Sequence, residues 1–282
     1  MMRADLHIHT TASDGIFPPE AILAMAKDAN ISAIAISDHD TMDSVPAASA
    51  LARELDLLFI PGVEISAGGD EEIHILSYGQ RPDAPALTQL FHDMRKERIG
   101  RAHRVMDLLE QLHMPLDRDQ VFLSANGSVG RPHIARAMVQ KGYVSSVRDA
   151  FDRYLAKGKA AFVSREKLSP ARVIRLLRDC DGIPVLAHPI LLSWPQEKLL
   201  PLLKEWKDAG LCGLEVYHPS QKQDFASWLR LARKMDLLIT GGSDYHAPDR
   251  PDGPMGGTAD MWLSAQEDVE ALLHMIRANQ SV

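Results

Sequence analysis

One stretch organises the prediction of the fold: Ala-Asp-Leu-His-Ile-His-Thr at residues 4–10, near the start of the 282-residue chain. Residues 2–8 are mostly apolar or alternating, a pattern that predicts a short buried β-strand. Side chains two positions apart leave the same face of a strand, so His7 and His9 should lie side by side. Two imidazoles on one rigid strand form half of a metal site, and the rest of the chain is expected to supply the other half.

The composition is that of a globular protein with a large core. Hydrophobic residues make up 45% of the chain and charged residues 24%, and the length suits a single α/β barrel. The net charge of −7 provides no basic surface for strong non-specific binding to long nucleic acid. Cys180 and Cys212 are far apart and form no known motif, which argues against structural disulfides and favours a reducing cytoplasm. We expect no signal peptide, no membrane span and no obligate protein partner.

Strand and helix patterns alternate along most of the chain, which predicts βα units and a parallel sheet. In each unit a polar cluster falls at or just after the carboxyl end of the strand, where α/β barrels place their chemistry. The predicted strands are residues 2–8, 31–36, 57–60, 73–78, 183–186, 213–216 and 237–240. Residues 85–163 contain helical patterns without a convincing strand. We therefore expect a barrel domain from residues 1–84 and 164–282, with residues 85–163 as a helical insertion that forms a lid over the active site.

Histidines and carboxylates recur at the predicted strand ends. A single histidine at such a position is more commonly a surface or hydrogen-bonded residue, but a barrel would bring all these ends to one place. A set of nitrogen and oxygen ligands without thiolate favours manganese, iron or zinc. It is also too large for one tetrahedral ion and predicts a cluster of two or three. The candidates are His7, His9, Asp14, His39, Glu64, His74, His188, His218, Asp244 and His246.

Five segments that contain candidate ligands resemble the motifs of the polymerase and histidinol phosphatase (PHP) family, at residues 5–10, 37–41, 61–64, 187–189 and 242–246. They occur in the same order as in the family and together span nearly the whole chain. The resemblance implies a distorted (β/α)7 barrel, similar to a TIM barrel, with a trinuclear centre that holds Mn2+, with Zn2+ or Fe2+ as alternatives. Carried over residue by residue, it assigns His7, His9, Glu64 and Asp244 to one ion. It assigns a second ion to Glu64, His74 and His188, and a third to Asp14, His39 and His246. Many family members have a histidine where this chain has Asp14, which sets the third ion apart.

Three further segments, at residues 130–137, 150–152 and 215–219, resemble the branch of the family that contains 3′,5′-nucleotide bisphosphate phosphatases and ribonuclease AM. The implied reaction hydrolyses the 3′-phosphate of a nucleoside 3′,5′-bisphosphate, such as adenosine 3′,5′-bisphosphate, with metal-activated hydroxide. Three divalent ions would bring six positive charges against three carboxylates, so the acidic chain does not exclude an anionic substrate. One alternative is 5′-to-3′ exonuclease action on short RNA. Others are a non-catalytic metal-binding module and an amidohydrolase that cleaves C–N bonds.

A bisphosphate also requires a site for the phosphate that is not cleaved. Arg131 is the first candidate, because a guanidinium binds phosphate through two hydrogen bonds and the helix that starts there offers free N–H groups. Arg101 is the second, although a solvated basic helix face explains it equally well. His133 either contacts substrate or packs within its helix. His218 is a candidate for phosphate contact or for protonation of the leaving group, with a structural role as the alternative.

Overall fold

The computed structural model describes residues 3–68, 73–125, 128–164, 167–192, 194–221, 225–248, 254–257 and 266–280. Within these residues seven strands form one sheet whose order follows the chain. The strands are β1 (Ala4–Asp5), β2 (Ala33–Ile36), β3 (Leu58–Ala67), β4 (Ile73–Tyr78), β5 (Ile183–Leu186), β6 (Gly213–Tyr217) and β7 (Leu238–Gly241).

The two ends of the sheet meet and close it into a barrel. The Leu6 N–H donates to the Gly241 carbonyl at 3.1 Å, and the His9 N–H donates to the Tyr245 carbonyl at 2.9 Å. Ile8 and Tyr245 also form a parallel bridge. The predicted α/β barrel is therefore confirmed, and its seam joins the first strand to the last.

The sheet is not wholly parallel, and this part of the prediction is wrong. Strand β4 runs antiparallel to both β3 and β5, with Ser66 opposite His74 and Ile75 opposite Leu186. Strand β3 is also longer than predicted, so that Glu64 lies inside it rather than after its end. The sequence Pro61-Gly62 suggested a strand end. Gly62 instead lets the strand continue past Ile36, whose carbonyl oxygen would lie 2.8 Å from a Cβ at that position.

Helices surround the barrel and fill the interval between β4 and β5. The barrel helices are α1 (Pro19–Asp28), α2 (Val45–Glu54), α7 (Pro170–Asp179), α8 (Gln196–Asp208), α9 (Phe225–Lys234) and α10 (Gln266–Gln280). Between β4 and β5 lie α3 (Pro85–Gln111), α4 (Arg118–Ser124), α5 (Arg131–Gln140) and α6 (Val147–Ala150), which a π-helical turn at Phe151–Leu155 extends. None of the described helices is both long and apolar enough to cross a membrane.

The 27-residue helix α3 belongs to two hydrophobic cores. Its first half contributes Leu87 and Met94 to the barrel core. Its second half contributes Val105 and Leu109 to a core built from residues 102–161 alone. The boundary predicted at residue 85 therefore does not coincide with the packing, because the first turns of α3 belong to the barrel.

Candidate metal centre

The barrel brings most of the predicted ligands together at one end. Among the described residues, three groups offer ligand atoms that all lie within 4.8 Å of one another. They are His7, His9, Glu64 and Asp244; His9, Asp14, His39 and His246; and His39, Glu64 and His74. Side chains from both ends of the chain and from its middle thus meet at one site.

The predicted pair of histidines, His7 and His9, forms the buried wall of this site. His7 and His9 are fully buried, and their Nε2 atoms lie 3.1 Å apart. Glu64, also fully buried, places Oε2 3.4 Å from His7 Nε2 and 3.3 Å from His9 Nε2. Asp244 Oδ1 lies 3.4 and 3.1 Å from the same two nitrogens. Four ligand atoms therefore converge from three separate segments.

Antiparallel β4 explains how His74 reaches the site. In a parallel strand the carboxyl end would face the metal groups, but in β4 it is the amino end that does so. His74 is the second residue of β4, and its Nδ1 lies 2.9 Å from Glu64 Oε1. His188, which follows β5, contacts the same carboxylate oxygen at 3.0 Å and His74 at 3.3 Å. Glu64 thereby has contacts on both of its oxygens.

The donor atoms fit a metal cluster because many of them lack any other partner. Burying a polar atom without a hydrogen bond costs free energy, and histidine nitrogens and carboxylate oxygens are normally paired when buried. Several such atoms of this site lie buried without a hydrogen-bond partner, although nitrogen or oxygen atoms of other candidate ligands are close. They are His9 Nδ1, Asp14 Oδ1, His39 Nδ1, Glu64 Oε2, His74 Nε2 and His188 Nδ1. Divalent cations would satisfy lone pairs of this kind, and the nitrogen and oxygen donors match Mn2+, Fe2+ or Zn2+.

The grouping differs in one respect from the assignment that the family resemblance implied. The first and third sets are brought together as expected, with His9 added to the third. In the second set, His39 joins Glu64 and His74, while His188 contacts that pair from the side. Because His39 Nδ1 lies 3.0 Å from Glu64 Oε2, one imidazole adjoins both the second and third sets.

The electrostatics of the site favour ionised carboxylates beside the imidazoles. Burial disfavours the charged form of Glu64, yet His74 and His39 outweigh it and hold the pKa of that carboxyl well below its usual range. Burial likewise disfavours protonation of His7, but Glu215 and Glu64 raise the pKa of that imidazole well above its usual value. The carboxylates thus create a strong local demand for positive charge, which protons or metal ions can meet.

Glu215 is a functional residue that the sequence analysis missed. This fully buried side chain uses both oxygens: Oε1 lies 2.9 Å from His7 Nδ1, and Oε2 accepts the His188 N–H at 2.6 Å. When Nδ1–H of His7 donates to Glu215, the lone pair on Nε2 faces the metal groups. The signal was present in the sequence, since a glutamate inside the apolar strand at 213–216 needs a partner when it is buried.

Asp38 has a comparable role on the other side of the site. Its carboxylate accepts the Thr10 N–H at 2.7 Å and the hydroxyls of Thr10, Ser13 and Ser44 at 2.8, 2.6 and 2.6 Å. These bonds fix the loop that carries Asp14 to the loop that carries His39. In the segment at residues 38–40, Asp38 therefore holds two loops together, and His39 is a candidate metal ligand.

The metal groups open into a cavity of about 250 Å3. The helical insertion supplies Arg98, Arg101, Arg131 and Phe151 to its walls. Arg98 donates to the Asp40 carboxylate at 2.8 Å, which offsets its charge. Arg101 Nε donates to the Val163 carbonyl at 2.9 Å. The cavity therefore has ligands for cations at its base and guanidinium groups along its side.

Two predicted substrate contacts lie elsewhere. His133 is buried at the start of α5, where its Nδ1 accepts the Gly130 N–H at 3.1 Å, and burial lowers its pKa to about 4. It borders a neighbouring cavity between the loop at residues 11–16 and helices α4 and α5. His218 is 1% exposed, accepts the Ser220 N–H through Nδ1 at 3.2 Å, and places Nε2 3.8 Å from Asp244 Oδ2. His218 Nε2 is buried without a hydrogen-bond partner, and His218 is not among the residues that line the cavity at the metal groups.

The fold and the site together define an α/β barrel with groups of histidines and carboxylates that could hold metal ions. A family model described as the PHP domain matches residues 5–163. The chain therefore belongs to the PHP family, as the motifs predicted, and it is a metal-dependent phosphoesterase of that family.

Curated relatives and a solved structure extend this comparison. A 5′-3′ exoribonuclease from Haemophilus influenzae is 35% identical over 86% of this chain and 90% of the relative. A 3′,5′-nucleoside bisphosphate phosphatase from Chromobacterium violaceum is 29% identical over 93% of each chain. The structure of an amidohydrolase from Chromobacterium violaceum, with bound sulfate and no metal, superposes with a TM-score of 0.87 at 28% identity. It covers 98% of this chain and 96% of its own.

Proposed function

We propose that this protein removes the 3′-phosphate from nucleoside 3′,5′-bisphosphates and releases the 5′-mononucleotide and phosphate. The observation that carries the proposal is that the candidate metal ligands and two arginines, Arg101 and Arg131, line the same cavity. A substrate with two phosphates separated by one nucleoside would engage both. The match to the Chromobacterium violaceum phosphatase over 93% of the chain supports it.

The ligand groups would hold two or three divalent ions, which we propose to be Mn2+. The chemistry that such ions supply is activation of water, since coordination lowers the pKa of water from about 15.7 towards about 7. The protein's own contribution is to fix the ligands: Glu64 adjoins two ligand groups, and Glu215 orients His7. Burial of these side chains also excludes bulk water from the base of the cavity, which strengthens charge interactions there.

The uncleaved phosphate would bind at the insertion side of the cavity. Arg131, the first residue of α5, lines this side of the cavity and would supply positive charge for the anion. Pro132 has no N–H and the His133 N–H donates to the Gly130 carbonyl, so the guanidinium rather than the helix end would bind the phosphate. The guanidinium carbon of Arg131 lies 5.4 Å from the centre of the Phe151 ring. Such stacking restrains the guanidinium in one plane, and its Nη1 also donates to the Leu155 carbonyl at 3.3 Å. Sulfate in the Chromobacterium violaceum structure, although a property of that protein, is consistent with anion binding in this fold.

The nucleoside would occupy the space between the two phosphates. Phe151 and Leu191 bring apolar surface to this otherwise polar cavity, and Leu191 is 53% exposed. An aromatic ring and an aliphatic side chain suit the faces of a nucleobase without selecting among bases. In this proposal residues 85–163 serve as the lid, because Phe151, Arg101 and Arg131 all come from them.

A second candidate is the 5′-to-3′ exonuclease reaction on short RNA. It is favoured by the exoribonuclease from Haemophilus influenzae, which has the higher identity of the two curated relatives. The same arginines would hold the 5′-phosphate of the first nucleotide, and the metal groups would face the phosphodiester on its 3′ side. The two reactions thus share one placement of a 5′-phosphorylated nucleotide and differ in what is attached to its 3′-phosphate.

A substrate comparison distinguishes these candidates. Mn2+-loaded protein is incubated with adenosine 3′,5′-bisphosphate, 3′-AMP, 5′-AMP or a short 5′-phosphorylated RNA, and free phosphate and mononucleotides are measured. We expect phosphate release from the bisphosphate with kcat/KM at least tenfold above 3′-AMP and 5′-AMP, because each mononucleotide places a phosphate at only one part of the site. The proposal also requires kcat/KM on the bisphosphate to exceed that on the RNA. Higher kcat/KM on RNA would replace the proposal with the second candidate. Absence of turnover with Mn2+, Zn2+ and Fe2+ would indicate a non-catalytic module.

A matched pair of variants tests whether the metal groups carry the reaction. His7→Ala removes a buried ligand and should abolish turnover, whereas His92→Ala removes an exposed histidine of α3 and should leave it unchanged. Turnover by His7→Ala at the wild-type rate would exclude the site proposed here.

A further inference from the structure

We propose that the helical insertion positions the ligands of the third ion, with Arg136 as the principal positioning residue. The inference rests on the proposed metal centre but not on the identity of the substrate. It concerns the group formed by His9, Asp14, His39 and His246.

Arg136 reaches from the insertion to the backbone of a ligand. It lies on α5, and its Nη2 donates a hydrogen bond to the carbonyl oxygen of Asp14 itself. Asp14 Oδ1 in turn lies 3.1 Å from His246 Nε2 and 3.9 Å from His9 Nδ1. An aspartate side chain has only two rotatable bonds, so the position of its carboxylate follows closely from the position of its backbone. A donor that fixes the Asp14 carbonyl therefore restricts the positions that the carboxylate can take.

The insertion holds the second loop of this group in the same way. Ser128 Oγ donates to the carbonyl oxygen of His39 at 3.1 Å. Arg98 Nε donates to the carboxylate of Asp40, the next residue, at 2.8 Å. Asp40 has φ +56°, a left-handed conformation that aspartate adopts more readily than most other non-glycine residues. The segment at and just after His39 is thus contacted by two residues of the insertion.

The other ligand groups have a different support. Glu64 and His74 lie inside β3 and β4, where the hydrogen bonds of the sheet fix the backbone. Asp14 and His39 instead lie in loops that follow the short strands β1 and β2. Loops acquire a fixed geometry only from the contacts that hold them. Asp38 ties both loops to the barrel, and the contacts from Arg136, Ser128 and Arg98 add the insertion as a second support. Because Asp14 belongs to the third group alone, loss of the Arg136 contact should weaken binding of the third ion more than binding of the other two.

Counting bound ions tests this directly and does not depend on turnover. Wild type, Arg136→Gln, Arg136→Lys, Ser128→Ala and Arg153→Gln are loaded with excess Mn2+ and then equilibrated against graded concentrations of a chelator. The ions that remain on each chain are measured by elemental analysis. Arg153 is the matched control, because it lies on the insertion, is 51% exposed and pairs with Asp149. Circular dichroism verifies that each variant is folded.

We expect wild type and Arg153→Gln to retain three ions at low chelator. Arg136→Gln should lose one of them at about tenfold lower chelator, the order of effect of one lost hydrogen bond from a charged donor, while the other two dissociate as in wild type. Arg136→Lys should partly restore the third ion, and Ser128→Ala, whose small change spares the fold, should weaken it by a smaller factor. Three ions on Arg136→Gln with wild-type affinity, or equal weakening of all three, would overturn the proposal. A wild type that holds only two ions would also overturn it, without contradicting a phosphatase with two metals.

Discussion

At the scale of single residues, the chemistry of this site depends on which ring nitrogen of each histidine faces the metal groups. His7 is settled by Glu215, which lies 2.9 Å from Nδ1 and is an acceptor when ionised. The imidazoles of His7 and His218 lower the pKa of Glu215 despite its burial, so it is ionised at neutral pH. The buried carboxylate thereby selects the tautomer of His7 that presents a lone pair to a metal ion.

Replacement of Glu215 should weaken metal binding. In Glu215→Gln the amide has one acceptor oxygen for two donors, so either the His7 Nδ1–H or the His188 N–H loses its partner. We expect a loss of about 10–100-fold in Mn2+ affinity, the range known for residues that orient metal ligands. Calorimetry with Mn2+ measures it, with Glu205→Gln on the exposed face of α8 as the control. Equal affinity in both variants would show that Glu215 is only a packing residue.

Arg131 should contribute to substrate binding more than to the chemical step. Arg131→Met keeps a long apolar stem against Phe151 but removes the guanidinium. We expect KM for adenosine 3′,5′-bisphosphate to rise by about tenfold or more, with a smaller change in kcat, because a charge-assisted bond to the uncleaved phosphate is lost in substrate and transition state alike. Steady-state kinetics measure this, and Arg104→Met, which alters an exposed arginine on α3, is the control. An unchanged KM would remove Arg131 from the binding site.

At the scale of elements, local patterns were predicted well and long-range pairing was not. Strand β5 has the predicted bounds, because a short apolar run marks it. Helix α7 likewise starts at Ser169-Pro170, a local signal for a helix start. The direction of β4 depends on which strands it joins, and nothing within residues 73–78 specifies that. The helix at residues 118–124 was missed because it is short, although Asp117 caps it.

For the candidate site too, local patterns could be predicted and long-range contacts could not. Most of its histidines and carboxylates could be identified because they end a predicted strand or follow one, whereas His74 lies near the start of its strand. The role of Glu215 could not, since its partner His7 lies 208 positions away in the chain. The role of Arg136 could not be predicted either, because Arg136 contacts the carbonyl oxygen of Asp14 and a sequence does not show which carbonyl group a side chain reaches.

Helix α5 should make the protein sensitive to mild acid. Burial lowers the pKa of His133 to about 4 in the folded state, against about 6.5 when unfolded, so the unfolded chain binds the proton first as pH falls. Stability should therefore be lost between about pH 6.5 and pH 4, by up to about 3 kcal/mol. His133→Gln retains an acceptor for the Gly130 N–H, as glutamine does at this position of other helices, but cannot titrate.

The measurement is the free energy of unfolding in urea at pH 7, 5.5 and 4.5 for both proteins. The advantage of His133→Gln over wild type should grow as pH falls. Parallel losses in the two proteins would assign the acid sensitivity to other groups.

At the scale of the whole molecule, the metal centre lies across the seam of the barrel. His7 and His9 follow β1, and Asp244 and His246 follow β7, so ions bound by both pairs would join the two ends of the sheet. A ligand that binds only the folded state at 100 times its Kd stabilises it by about 2.7 kcal/mol. For a chain of this size we expect chelation to lower Tm by about 5–10 °C. Differential scanning calorimetry with and without chelator measures the shift.

The control for this prediction is His7→Ala, in which the same chelator should move Tm much less because a ligand at the seam is missing. An equal shift in both proteins would place the stabilising ion away from the seam.

Helix α3 links the two cores. Its length therefore fixes the height of the insertion above the barrel and the rotation of the insertion about the axis of α3. Because β4 runs antiparallel, α3 starts at the end of the barrel opposite the metal groups and must span its full height, and 27 residues give about 40 Å. One residue added between Met94 and Arg98 would rotate everything beyond it by about 100° and turn Arg98 and Arg101 away from the cavity. Seven added residues would nearly restore the rotation but raise the lid by about 10 Å. The register of this one helix thus sets where the arginines stand over the metal groups.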